Sequence, residues 1–150
     1  MNDISADRCD PLLLIEALRQ SGKSLETALD TELVRVGLSA AKWAALRCLV
    51  ENGEHLPLSQ LADKLACVRS NATQLVDRLE ADNLVRRTSD PNDRRSVSAE
   101  LTEGGRARYN EGLGIMREFE RSILSDYTHE EYLLISKLLT KLHNFTHAAR

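Results

Sequence analysis

The apolar period of this chain switches between residues 84 and 101, and that switch limits the folds open to it. Before it, and again after Thr102, apolar residues recur every three to four positions, the spacing of amphipathic helices. Within it, Leu84-Val85-Arg86-Arg87-Thr88-Ser89 reads as one strand and Asp90-Pro91-Asn92-Asp93 as a turn. On the return strand Val97, Ala99 and Leu101 alternate with Ser96, Ser98 and Glu100, which predicts one buried and one wet face. Two strands alone are marginal, so the hairpin must lean on the helices before it. Three prolines, seven glycines and 4% aromatics in 150 residues are too few for an all-β chain. The fold class is therefore mainly α with a small β-hairpin.

The helices punctuate themselves. Residues 11–36 carry Leu14, Leu18, Leu25, Leu29 and Val36 on one seam, with a break expected at Gly22. Ser39 caps a second helix through Trp43, Leu46 and Leu49 that stops near Asn52-Gly53. Leu58, Leu61, Ala62 and Leu65 mark a short third helix. Ala66-Cys67-Val68 interrupts, and a fourth helix runs over about 70–82. Beyond the hairpin, Thr102 caps a fifth helix bearing Ile115, Phe119 and Ile123. Thr128-His129-Glu130-Glu131 is a capping box for a sixth, with Ile135, Leu138, Leu142 and Phe145. The terminal seams are too apolar for a small central core to cover, so 1–36 and 106–150 read as a dimerisation region and 37–105 as a separate lobe of one continuous fold.

The fourth helix carries the chemistry. Ala72, Leu75, Val76 and Leu79 fall at i, i+3, i+4 and i+7 and form its buried face. The other face offers Ser70, Asn71, Thr73, Gln74, Asp77 and Arg78, with Arg69 at its entrance. Hydroxyls, carboxamides and guanidinium groups are the ones that read base edges or hold phosphates, and a helix N-terminus favours phosphate. A short helix, a three-residue turn and then such a helix is the layout of a helix-turn-helix. Arg94 and Arg95, at the tip of the hairpin that follows, are placed to reach a minor groove, with Asp93 as an orienting partner. Ser59 is a further phosphate candidate.

The net charge of −3 hides a distribution. Residues 1–68 hold 7 basic and 10 acidic residues, 69–108 hold 8 and 7, and 109–150 hold 5 and 6. Between 84 and 95, Arg86, Arg87, Arg94 and Arg95 face only Asp90 and Asp93, a small basic spot on an acidic body. That excludes a general polyanion binder. No G-x-S-x-G, P-loop, H-E-x-x-H or dinucleotide turn is present, so an enzyme is not expected, nor a cofactor. Cys9, Cys48 and Cys67 show no CxxC pairing, and His143 and His147 have no ligand partner nearby in sequence, so no metal site is read. The acidic, polar start lacks a signal peptide's features and no apolar run spans a membrane, which points to the cytoplasm.

Several stretches together resemble the multiple antibiotic resistance regulator (MarR) family of winged helix-turn-helix transcription factors. They are Leu38-Ser39-Ala40-Ala41-Lys42-Trp43-Ala44-Ala45-Leu46, Leu58-Ser59-Gln60-Leu61-Ala62, Thr73-Gln74-Leu75-Val76-Asp77-Arg78-Leu79-Glu80, Leu84-Val85-Arg86-Arg87, Asp90-Pro91-Asn92-Asp93-Arg94-Arg95 and Leu101-Thr102-Glu103-Gly104-Gly105. The resemblance implies a winged helix-turn-helix flanked by interlocking N- and C-terminal helices of a homodimer. It also implies two recognition helices in successive major grooves of a pseudo-palindrome, with Arg95 in the minor groove held by Asp93. The chain departs from the family at Ala66 and Asn83, where glycine is usual. Alanine fits a right-handed turn and asparagine tolerates a left-handed one.

Family members respond to small aromatic compounds or to thiol oxidation, so a repressor released by an aromatic effector is expected. The effector candidates are Trp43 and Arg47, four apart on the second helix, and then Arg19. The alternative is a redox-sensing regulator acting through Cys67, beside Arg69 and the start of the fourth helix, or through Cys9. A protein-interaction module built on the same fold is a further rival.

Overall fold

The computed structural model describes residues 11–89 and 97–148; Cys9, Asp93, Arg94 and Arg95 lie outside them. The elements run α1 (Pro11–Leu33), α2 (Ala40–Glu51), β1 (His55–Pro57), α3 (Leu58–Lys64), α4 (Arg69–Ala81), β2 (Val85–Ser89), β3 (Val97–Leu101), α5 (Glu103–Leu124) and α6 (His129–Ala148). The helices, turn and hairpin follow the order expected from the apolar pattern, with one added strand. The chain divides into two compact units, Met1–Leu113 and Gly114–Arg150, described in turn.

α1 continues through Gly22, contrary to the expected break. One interior glycine costs roughly 1 kcal/mol against alanine, too little to end a 23-residue helix. It passes into a 3-10 turn at Val34–Val36 and stops at Gly37, whose left-handed φ of 69° lets Leu38 N–H donate to the Leu33 carbonyl. α2 starts where the capping signal placed it: Ser39 Oγ accepts Lys42 N–H at 3.2 Å, and Asp30 of α1 accepts Ala40 N–H at 2.6 Å. Leu46 and Leu49 of α2, Leu61 of α3, Val76 and Leu79 of α4 and Val85 of β2 are fully buried and form the core under the helix-turn-helix.

The sheet is antiparallel in the order β1-β3-β2. β1 was not foreseen, because His55-Leu56-Pro57 is too short to show alternation and contains a proline. Proline is tolerated there because β1 is an edge strand. Its addition makes β3 the central strand, and this overturns one expectation. Ser98, read as facing water, is 4% exposed. Pro57 and Thr88 stand opposite it in register on the two neighbouring strands and shield it.

The turn between α3 and α4 corrects another. Ala66 has a φ of +51°, left-handed rather than right-handed. Cys67 N–H donates to the Ala62 carbonyl and Ala66 N–H to that of Asp63, at 3.0 and 3.1 Å, which is a Schellman turn built on alanine. Asn83, at φ +58°, ends α4 in the same way, as its side chain led one to expect. A left-handed alanine costs about 1–2 kcal/mol, part of which glycine returns as unfolded-state entropy. Ala66→Gly is therefore expected to stabilise the protein by about 1 kcal/mol and raise its Tm by about 3 °C. Thermal melting checks this, and an unchanged or lower Tm would contradict it.

In the second unit, the capping box at the start of α6 is formed. Glu131 Oε2 accepts Thr128 N–H at 2.8 Å, and Glu131 N–H donates to Thr128 Oγ1 at 3.3 Å. These bonds hold the Glu131 carboxyl below its usual range. From His129 to Phe145 every residue of α6 is exposed, among them Leu133, Leu134, Ile135, Leu138, Leu139 and Leu142. No described helix is long and apolar enough to cross a membrane.

Candidate nucleic-acid interface

α4 is anchored by its apolar side. Ala72, Val76 and Leu79 have no exposed surface, and Leu75 is half-buried beside them. Its far end is tied to the start of α2 by Lys42 Nζ and Asp82 Oδ2, 2.6 Å apart. With that side fixed, the 3.6-residue period turns Arg69, Ser70, Asn71, Thr73, Gln74, Asp77 and Arg78 outward, and all seven are exposed. The structure thus brings every recognition-helix candidate onto one solvent-facing surface. Ser59, on α3, is half-buried.

The donor and acceptor inventory of this face is uneven. Thr73 Oγ1 donates back to the Arg69 carbonyl at 2.9 Å, so its hydroxyl offers an incoming group only acceptor lone pairs. Asn71 and Gln74 each carry a carboxamide, which can pair bidentately with adenine. Val68, the N-cap of α4, provides no side-chain acceptor, so the helix's first N–H groups and its positive end are uncapped. Neither Arg69 nor Arg78 pairs with a carboxylate among the described residues, so both present an exposed cation to solvent.

The hairpin's basic spot is smaller than the sequence suggested. Arg86 Nη2 lies 2.6 Å from Glu100 Oε1 on β3, a pair that keeps the Glu100 carboxyl below its usual range. Arg87 is bound to Asp77 and Glu80 of α4. Their partners lie on other elements, so a count over 84–95 could not see them. Asp93, Arg94 and Arg95 fall outside the described residues.

The other candidates are spread through the first unit. Trp43 is buried and stacks on Tyr109 of α5, the centroids 5.9 Å apart and the rings 14° from parallel. Its Cδ1–Nε1 edge lies against Gly112, where any larger residue would displace the ring. Arg47 is exposed, its Cζ 5.4 Å from the Trp43 centroid and its Nε 3.6 Å from Glu51 Oε1. Tyr109 was missed because nothing local to residue 109 signals that α5 crosses α2 there. Arg19 is clasped by Glu16, at 2.6 and 2.9 Å, and this lowers the Glu16 carboxyl's pKa. Cys67 is half-buried in the turn before α4, whereas burial pushes the Cys48 thiol up.

Known proteins share this arrangement. The model of the MarR family matches residues 38–97, which run from the turn before α2 to the start of β3. The HTH-type transcriptional regulator PecS of Dickeya dadantii is 33% identical over 135 residues, covering 89% of this chain and 81% of that protein. The chain belongs to the MarR family. The HTH-type transcriptional repressor MdtR of Bacillus subtilis is 30% identical over 140 residues, 92% of this chain and 88% of that one. Among solved structures, the organohalide-sensing regulator RdhR-CbdbA1625 in its 2,4-dichlorophenol-bound form matches with a TM-score of 0.83 and 28% identity. That match covers 97% of this chain and 86% of the other. As a MarR-family protein the chain is a DNA-binding transcriptional regulator and not an enzyme.

Proposed function

We propose that this MarR-family regulator works in the cytoplasm as a homodimeric repressor, binding a pseudo-palindromic operator and leaving it when a small aromatic effector binds. The observation that carries the reading is the division of α4. Its apolar side is sealed in the core, and the side chains of its polar side from Arg69 to Arg78 are exposed among the described residues. Asn71 and Gln74 read base edges, Ser70 and Thr73 assist, and Arg69, Arg78 and Ser59 hold phosphates. Arg94 and Arg95 reach the minor groove from the wing, with Asp93 orienting them.

Dimerisation is supported by surface that a lone chain leaves wet. Leu12, Leu13, Leu14 and Ile15 of α1 are all exposed, as are the six leucine and isoleucine side chains of α6 named above. Contiguous apolar surface of this kind marks an interface. Two-fold symmetry then sets half-sites about 34–36 Å apart, one turn of duplex. Repression is the activity of the relative MdtR. The aromatic effector rests on the phenol bound by RdhR-CbdbA1625, and on Arg47 beside the Trp43–Tyr109 stack as a partner for an acidic oxygen.

Gel shifts across a salt series test the division of labour. Gln74→Ala is expected to change which bases are preferred, and Arg95→Ala to weaken binding to all sequences alike. If each protomer neutralises about four phosphates, the dimer's log–log salt slope is about −7, and Arg95→Ala makes it shallower. Equal, small effects of both substitutions would count against the geometry.

A further inference from the structure

We propose that Arg87 is a positioning residue for DNA recognition: it holds α4 against the sheet and cancels the two carboxylates of that helix, without itself touching the duplex. This rests on the DNA-binding reading above. From β2 its guanidinium spans α4 lengthwise. Nη2 lies 2.5 Å from Asp77 Oδ1 and donates to the Thr73 carbonyl at 3.3 Å, and Nη1 lies 3.4 Å from Glu80 Oε2. The backbone N–H of Arg87 donates to the other oxygen of Glu80 at 3.0 Å. Thr73, Asp77 and Glu80 stand at i, i+4 and i+7, a single line along the helix. One planar fork reaches all three, which a lysine's point charge does not.

The line borders the DNA-facing side. Asp77 is three residues from Gln74 and four from Thr73, and it is about half exposed, so without a partner its charge would face phosphate. Arg87 is the least exposed of the three side chains, at 30%. Arg86, next to it, points to Glu100 instead and does not duplicate the bond. The same contacts fix Thr73 through its carbonyl, while its hydroxyl is turned to Arg69. The rotation of the reading face about the helix axis is thereby tied to the base of the wing.

A charge-cancellation cycle tests this on a duplex selected from a random pool by the wild-type dimer. If no duplex is enriched, the DNA-binding reading itself fails, before any variant is made. Given a duplex, Arg87→Gln is expected to lower affinity at least about tenfold. The pair Asp77→Asn/Glu80→Gln keeps the acceptors and removes the charges. Adding Arg87→Gln to it is expected to cost less than about threefold, a non-additivity that a phosphate contact would not produce. Arg87→Lys keeps the charge but not the three-way fork, and is expected to recover only part of the affinity that Arg87→Gln loses. Melting curves accompany every variant, with Arg87→Ala as a second truncation. A loss of the same factor in both backgrounds, or one that the neutral pair does not rescue, would overturn the proposal.

Discussion

Leu138→Arg is expected to leave each chain helical while converting the proposed dimer to a monomer. Leu138 is 55% exposed in the single chain, and no residue of α6 from His129 to Phe145 is buried. A charge at that position therefore costs the isolated chain little. In the proposed dimer the same side chain would be covered by apolar surface of the partner, where an unpaired buried charge is strongly unfavourable. Sedimentation should show a species near 16.8 kDa in place of one twice that mass, with the far-UV spectrum of the helices kept. Operator affinity should fall by roughly 10²- to 10⁴-fold, the avidity lost when two linked reading heads become one. A variant that stays dimeric would place the interface elsewhere.

Gly105→Ala carries the second large effect, on stability. A Cβ at Gly105 would fall within the Leu84 carbonyl oxygen's contact shell and 2.9 Å from Leu101 Cδ1. The Leu101 methyl can rotate aside, but the main-chain carbonyl cannot give way easily. The Leu84 carbonyl accepts Thr102 N–H at 3.1 Å, and Thr102 Oγ1 donates to the Asn83 carbonyl at 2.7 Å, so the main chain just after α4 is held to the start of α5 by one backbone bond and one from the Thr102 hydroxyl. Overpacking against main chain is expected to cost about 3 kcal/mol or more, lowering Tm by about 10 °C. Gly104→Ala is the control, since its added Cβ would make ordinary contact 3.5 Å from the Asn83 carbonyl in an exposed first turn. Thermal melting of both decides, and equal Tm values would contradict the close approach.

What could be read in the sequence was local. Ser39, Thr102 and the Thr128–Glu131 pair announce helix starts because each satisfies N–H groups two or three residues on, and the structure forms all three caps. The burial of Ala72, Val76 and Leu79 followed from spacing alone, and with it the outward face of α4. What escaped was non-local. β1 exists because β3 offers it an edge, and the burial of Ser98 follows from that pairing. Arg86 and Arg87 counted towards the basic spot because their carboxylates lie 14, 10 and 7 residues away on other elements. Ala66 took a left-handed turn because the packing of α3 against α4 outweighs its own preference. The candidate DNA face was thus legible residue by residue, and the ion pairs that shape it were not.

If the polar side of α4 lies on DNA, duplexes selected from a random pool will carry its imprint. Wild type and Gln74→Ala should each be used for selection and the enriched sequences compared. Wild type should enrich a palindrome with half-sites one helical turn apart, and Gln74→Ala should change the preference at one symmetric base position. Identical enriched sequences from both proteins, or none from either, would contradict it.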